Sequence, residues 1–546
     1  MPGGIPFIIS NEAAERFSFY GMKAALAIFL ANYLGVLGGA NLSESQATSY
    51  VSYFNSAVYL TPLFGALIAD TFFGKYRTIM TLSMVYCLGH LCLAFMGVGG
   101  VVQIWLLAGL GLIAIGAGGI KPCVSAHVGD QFGTRNQHLL PKIFNIFYFS
   151  INTGAVISNL SIPWVLKWHG PHWAFGIPGV LMAIATICFW MGRRKFIHVP
   201  AQRAPFLDEV FSFEGAKVIL KLGLLFYIFV SMFWCLFDQT ATTLVFQAEK
   251  MNLNILGIEL LPSQVQAFNP FLILVLIPLF TFVIYPKVGA IVKLTPLRKI
   301  GSGFFLMVLS FAIISWAQEA IDRGETPSVA WQLLAYLIFT TAEILVSIVC
   351  LEFAYTQAMP NMKSFIMSLF LLSVFVGNGM TGLINDYIRI PETTVDKDHA
   401  ELLAPAKLVN TYYLENEKLP SQLKISGDGP HGNPIKYQLI HAGAARLSSA
   451  GPDGKLKTED DINTHITIKK NDRDEEGTWL FEAKQEKGMI EEDDGSGPLK
   501  TTHVIGGGTK LEGAKYFWFF TGLMGAVAIL FIPFAIFYKE RTYLQS

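Results

Sequence analysis

Two carboxylates, a guanidinium and an ammonium share the stretch Asn11-Glu-Ala-Ala-Glu-Arg-Phe-Ser-Phe-Tyr-Gly-Met-Lys23, inside what otherwise reads as an apolar helix from about residue 6 to 34. Helical spacing puts Glu12, Glu15, Arg16, Phe19 and Lys23 on one stripe, with Tyr20 at its edge. In hydrocarbon each such charge costs about 2.5–3.5 kcal/mol even on the lenient insertion scale, so this face must turn to a watery, protein-lined interior. Two carboxylates beside one arginine suit reversible protonation, because the balance of charge around them changes with conformation. A plain surface bridge between Glu12 and Arg16 is the alternative. Lys23, which carries the stripe two turns deeper, weighs against it.

Further polar groups interrupt later apolar runs. Lys121 follows Gly116-Ala-Gly-Gly119 and precedes Pro122, a proline that frees the helix to bend. No acid lies near Lys121 in sequence, so its partner must come from another helix, and Asp238 is the best candidate. Tyr148 and Asn152 are i,i+4, as are Trp234 and Asp238, with Phe237 between them. Asn269 precedes Pro270, and Glu343 and Ser347 again stand i,i+4. Each alone is a common interhelical bond. Together they suit a zwitterion with an amide backbone: lysine for a carboxylate, glutamate for an amine, asparagine for amides, aromatics for varied side chains.

Stepping outward, 52% of the 546 residues are hydrophobic and 15% are charged, which argues for membrane helices rather than a soluble core. Hydropathy predicts twelve spans: 6–34, 47–69, 77–99, 102–128, 143–166, 173–192, 217–246, 264–286, 297–317, 329–354, 363–388 and 515–538. Basic loops follow the even-numbered spans, which places both termini in the cytoplasm. The expected organisation is a six-helix bundle over 1–192, a cytoplasmic linker over 193–216 and a second bundle over 217–388, completed by the last helix and tail over 514–546. An extracytoplasmic domain over 389–513 falls between them. It is expected to be small and mostly β, with strands near 436–441, 465–469 and 477–483 and a turn at Gly451-Pro-Asp-Gly454. Asp70 at a span end, followed by Gly74-Lys75-Tyr-Arg77, suits a cytoplasmic gate. The formal net charge of zero offers no field for nucleic acid, and no cysteine spacing fits a metal. No P-loop or nucleophile–base pair appears, so no enzyme activity is expected. The segment before the first span has no basic n-region, and no cleavable signal peptide is expected.

Glu12-Ala-Ala-Glu15-Arg16-Phe17 resembles the E-x-x-E-R-F motif of the proton-dependent oligopeptide transporters. Phe147–Gly154 is similar to that family's F-Y-x-x-I-N-x-G signature, and Lys121-Pro122 to its K-P element. Met232–Gln239 and Leu351–Ser364 look like the animal di- and tripeptide carriers, and the Asp70–Arg77 segment like the major facilitator superfamily. The resemblance implies an all-α major facilitator fold and proton-driven import of di- and tripeptides by a bilayer-embedded monomer, with no cofactor beyond the proton. It implies that Glu12, Glu15 and Arg16 couple the proton and that Lys121 pairs with Asp238. It also implies a pocket lined by Tyr20, Lys23, Tyr59, Lys121, Tyr148, Asn152, Trp234, Asn269, Glu343 and Ser347. Departures are Ser52 where animal carriers place a histidine, Phe19 for tyrosine, Lys23 for arginine and Phe370 for tryptophan. The outer insert follows span eleven, whereas animal carriers place theirs after span nine. A nitrate or small-solute carrier and a peptide sensor are the competing readings. Glu343 argues against an anion.

Overall fold

The computed structural model describes residues 2–132, 139–198, 212–357, 363–394, 400–425, 429–468 and 498–539. Six long helices make the first half: α1 (Ile5–Ile28), α2 (Glu44–Ile68), α3 (Lys75–Ala94), α4 (Val102–Asp130), α5 (Leu140–His169) and α6 (Pro171–Met191). The second half holds α7 (Phe213–Ala241), α8 (Pro262–Gly289), α9 (Pro296–Asp322), α10 (Ala330–Ala354) and α11 (Lys363–Ile388). After the outer segment, which contains α12 (Ala400–Asn416), α13 (Ala514–Phe537) completes that half. Among the described residues, nine helices are long and apolar enough to cross a membrane. The helices α1, α2 and α5 are as long but interrupt their apolar runs with charged and polar side chains.

Local chemistry sets the ends of these helices. Prolines open α1, α5, α6 and α9 at the first turn, where the missing N–H costs nothing. Thr295 caps α9 by accepting from the Arg298 amide at 3.3 Å. Gly170, at φ +79°, is both the last cap of α5 and the first of α6, a corner that a side chain would strain.

Each half has its own apolar core. One is built from residues such as Phe29, Tyr86, Ile113 and Phe175 of the first half, the other from Phe226, Phe304, Phe339 and Phe520 of the second. Large apolar side chains also face outward, among them Ile104, Trp173, Phe282 and Phe537, as a lipid-facing surface requires. Close approach inside the halves depends on glycine. A Cβ on Gly118 of α4 would strike Thr61 and the Val58 carbonyl of α2, and one on Gly377 of α11 would strike the Ser231 carbonyl of α7. The Gly116–Gly119 run thus serves packing, and α4 continues as one helix past Pro122.

Several side-chain contacts join the halves at the end carrying the outer segment. There Tyr53 donates to Asp386 at 2.6 Å, Ser45 to the Asn385 carbonyl at 3.0 Å, and Lys250 pairs with Glu44 at 2.7 Å. Asn32 donates to Glu249 at 3.1 Å across the same mouth.

A two-stranded hairpin, β1 (Asn254–Ile255) and β2 (Ile258–Glu259), lies between α7 and α8. The outer segment folds into one antiparallel sheet from β3 (Glu392–Thr394), β4 (Lys436–His441), β5 (Ala444–Ser449), β6 (Ile462–Ile468) and β7 (Leu499–Gly506), ordered β3-β7-β6-β5-β4. The expected strand at 436–441 is β4 and that at 465–469 overlaps β6, whereas 477–483 lies outside the described residues. The turn at 451–454 closes with the Gly454 amide on the Gly451 carbonyl at 3.0 Å. Helix α12 was not foreseen. Its Leu402, Ala406 and Val409 lie on one face and bury against Leu447 and Ile466 of the sheet.

Entry and exit of this segment run side by side. The Lys510 amide donates to the Ile388 carbonyl at 2.7 Å, Ile390 to Gly508 at 3.1 Å, and β3 pairs with β7. Asp322, at the end of α9, accepts from the Ala514 amide at 2.7 Å and so caps α13.

Candidate functional site

The chemistry-bearing face of α1 is buried. Glu12 and Glu15 are each 1% exposed, and Arg16 Nε lies 2.7 Å from Glu12 and 3.2 Å from Glu15. One guanidinium thus faces two buried carboxylates, one charge short of neutrality. Removing one partner from such a cluster is costly unless a proton makes up the charge.

Two turns on, Lys23 crosses to the other half and meets Asp238 of α7 at 3.0 Å. The second Asp238 oxygen accepts from Asn378 of α11 at 2.7 Å. The expected Lys121–Asp238 pair is not formed. Asp238 is already satisfied by Lys23 and Asn378, and the Lys121 ammonium sits 4.4 Å from the ring centroids of both Phe19 and Tyr59. Such cation–π contacts hold the ammonium in place while leaving it without a counter-carboxylate. Asn378 escaped the sequence reading, although an asparagine between two glycines in an apolar run was a visible signal.

On the second half, Asn269 donates to Glu343 at 2.8 Å and to Thr340 at 3.0 Å, so α8 and α10 present the carboxylate together. Glu343 ends a regular stretch of α10 and is followed by a π turn, Ile344–Ile348, that holds the half-buried Ser347. Single π turns inside helices are frequent at functional sites. Trp234 is 8% exposed with its indole N–H unpartnered, and it stands edge-on to Phe237 at 5.3 Å between centroids. Phe237 in turn meets Phe339 of α10 edge-on. On α5, Asn152 returns a bond to the Tyr148 carbonyl at 3.0 Å, and the Tyr148 side chain is exposed. Tyr20 is half-buried against Phe19.

Of the residues expected to form the gate, Lys75 and Arg77 are described. Lys75 pairs with Asp130 at the end of α4, at 2.7 Å, and Arg77 is exposed. The Asp70 side chain lies outside the described residues. Lys75 opens α3 directly after the Gly74 corner, which aims it across to the last turn of α4.

Two helical halves, each with its own apolar core, close over a buried charged centre inside a lipid-facing shell. That arrangement defines an integral membrane protein of the two-bundle type. The chain belongs to the POT family, whose PTR2 model matches residues 76–213 and 213–399. A curated relative, "Peptide transporter family 1" of Drosophila melanogaster, is 38% identical over 365 residues, which is 59% of this chain and 48% of that protein. The chain spans about half the length of the curated relatives it matches. Its fold is similar to the POT family transporter PepTSo, with a TM-score of 0.66 and 36% identity over 76% of this chain and 94% of that one. It is also similar to a crystal structure described as an auto inhibited POT family peptide transporter. There the TM-score is 0.69 and the identity 27%, over 100% of this chain and 99% of that one.

Proposed function

We propose that this chain is a proton-coupled symporter that imports di- and tripeptides by alternating access, with α1–α11 and α13 as its twelve spans. The observation that carries the reading is the placement of two charge systems on one helix. α1 holds the buried Glu12–Arg16–Glu15 cluster and, two turns away, the Lys23 that ties the first half to Asp238 of the second. A proton on the cluster and a change in the tie between halves are thereby linked through a rigid element.

In this reading Lys121, held between Phe19 and Tyr59, receives the peptide carboxylate, and Glu343, presented by Asn269, receives the amine. Tyr20, Tyr148, Asn152, Trp234, Phe237 and Ser347 line the space for backbone and side chains. The contacts at Tyr53–Asp386 and Glu44–Lys250 fit a state closed toward the outer segment. Asp70, Lys75 and Arg77 form the cytoplasmic gate, with Lys75 held by Asp130 of α4 in this state. Residues 389–513 lie outside the cytoplasm and both termini inside it.

The test is uptake of a labelled dipeptide into proteoliposomes under an inward proton gradient. Accumulation above the outside concentration, abolished by a proton ionophore, is the expected result. Equilibration without accumulation would leave a facilitator, and no uptake with intact binding would favour a sensor.

A further inference from the structure

A cavity of about 1150 Å³ lies between the outer sheet and the mouth of the two halves. Ser43, Glu44 and Ser45 at the start of α2 form one wall together with Lys250. Tyr437–Ile440 and Arg446 of the sheet, with Lys457 from the connection between β5 and β6, form the other. Adjoining it is a smaller cavity of about 120 Å³ among α2, α11, α13 and the short helix Thr243–Ala248. The two share Glu44, Ser45, Lys250, Gln318, Thr509 and Gly513, so they adjoin on the way into the closed mouth.

The walls of the larger cavity are charged, with cations in excess. Lys250, Lys424, Arg446, Lys457 and Lys515 line it, against Glu44, Asp322 and Glu512. Much of this charge is internally tied: Lys250 to Glu44, and both Arg446 and Lys457 to Glu512. Two cations are left over. Lys424 and Lys515 are exposed and carry no ion pair among the described residues. Arg446, only 7% exposed, adds positive charge to the wall but is engaged: its Nη2 donates to Gln438 at 2.8 Å and to Glu512 at 2.7 Å, and its Nε is closed to solvent.

We propose that this cavity is a second, outer peptide site, which captures short peptides by their carboxylates before they reach the mouth and favours acidic ones. This rests on the transport reading above. The cavity exceeds the usual range of small-ligand sites, so the peptide is held at one end while the rest remains solvated. The surplus of positive charge raises the local concentration of anionic ends, so its effect falls with ionic strength. Capture of this kind acts on the rate of encounter and leaves the turnover of the filled carrier alone.

The experiment compares alanyl-glutamate with alanyl-alanine in proteoliposomes containing wild type, Arg446→Gln, or the double variant Lys424→Gln/Lys515→Gln. The double variant is included because Arg446 also braces the sheet, whereas the two exposed lysines do not. Expected is a KM for alanyl-glutamate raised about tenfold in the double variant, with kcat within twofold, a smaller rise for alanyl-alanine, and loss of the difference in high salt. Calorimetric titration of alanyl-glutamate into the same purified proteins reads the outer site without transport. If uptake fails in every protein but titration still separates wild type from the double variant, the transport reading falls and the outer site stands. If both folded variants keep the wild-type KM, binding heat and salt dependence, the outer site is overturned.

Discussion

Glu15 is the residue on which the proposed coupling turns, because its carboxylate is buried, 3.2 Å from Arg16, and has no hydrogen-bond partner among the described residues. A neutral amide there keeps the shape and removes the proton. Glu15→Gln is expected to leave peptide-for-peptide exchange largely intact and to abolish concentrative uptake, a loss worth about 2.3 kcal/mol per charge per 100 mV of membrane potential. Accumulation by the glutamine variant at the wild-type level would remove this site from the coupling. The two ends of the substrate give a second test. A charge-assisted contact contributes about 1.5–3 kcal/mol, or roughly ten- to a hundredfold in affinity. Glu343→Gln is expected to erase most of the affinity difference between a free dipeptide and its N-acetylated form, and Lys121→Ala that between the free acid and its C-terminal amide. Since Lys121 does not hold Asp238, its alanine variant leaves the Lys23–Asp238 tie in place, and equilibrium binding reads the contact directly. Full retention of both preferences would overturn the end assignment.

At the scale of helices, packing depends on places where backbones nearly touch. Gly377→Val pushes a side chain into the Ser231 carbonyl of α7, whereas Gly522 of α13 faces open space. The first substitution is expected to cost about 1–3 kcal/mol and to lower the melting temperature of the detergent-solubilised protein. Gly522→Ala is expected to be neutral or slightly stabilising. Equal melting temperatures would show that α7 and α11 are not pressed together there. These contacts also mark where sequence reading stopped. Helical runs and the stripe on α1 were legible, since a 3.6-residue period and the price of charge in lipid act locally. Which cation reaches Asp238 was not, because Lys23 and Lys121 have the same chemistry and only the crossing of α1 over α7 decides between them. Asp130 as the partner of Lys75 was missed for the same reason, as it lies on the far end of α4. Helix α12 was missed because its apolar face is short and set in a polar, turn-rich segment.

For the molecule as a whole, the outer sheet is tied to the second half at its neck, at the Asp322 cap and where Leu439 meets Gly324. Its interior is sensitive to acid. Burial and the nearby Arg446 push His465 down to about 4. Burial alone would raise Glu512, but Arg446 and Lys457 hold its carboxyl below the ordinary range. In both cases the folded state binds fewer protons than the unfolded one. The stability from His465 is therefore complete above about pH 6.5 and lost progressively toward pH 4, on the order of 3 kcal/mol. Hydrogen exchange in residues 436–468, corrected for intrinsic rate, should rise across that window and flatten in His465→Phe; a pH-independent protection would contradict it. The side-by-side neck at Ile388–Pro391 and Gly507–Lys510 also gives the sheet the properties of a pointer. Every tilt of the second half relative to the first must sweep the sheet past Ser43–Ser45, far from the axis, where a small rotation becomes a long arc. A pair of spin labels, one on β5 and one at Ser43, would therefore read the angle between the halves during a cycle without disturbing a residue in the interior.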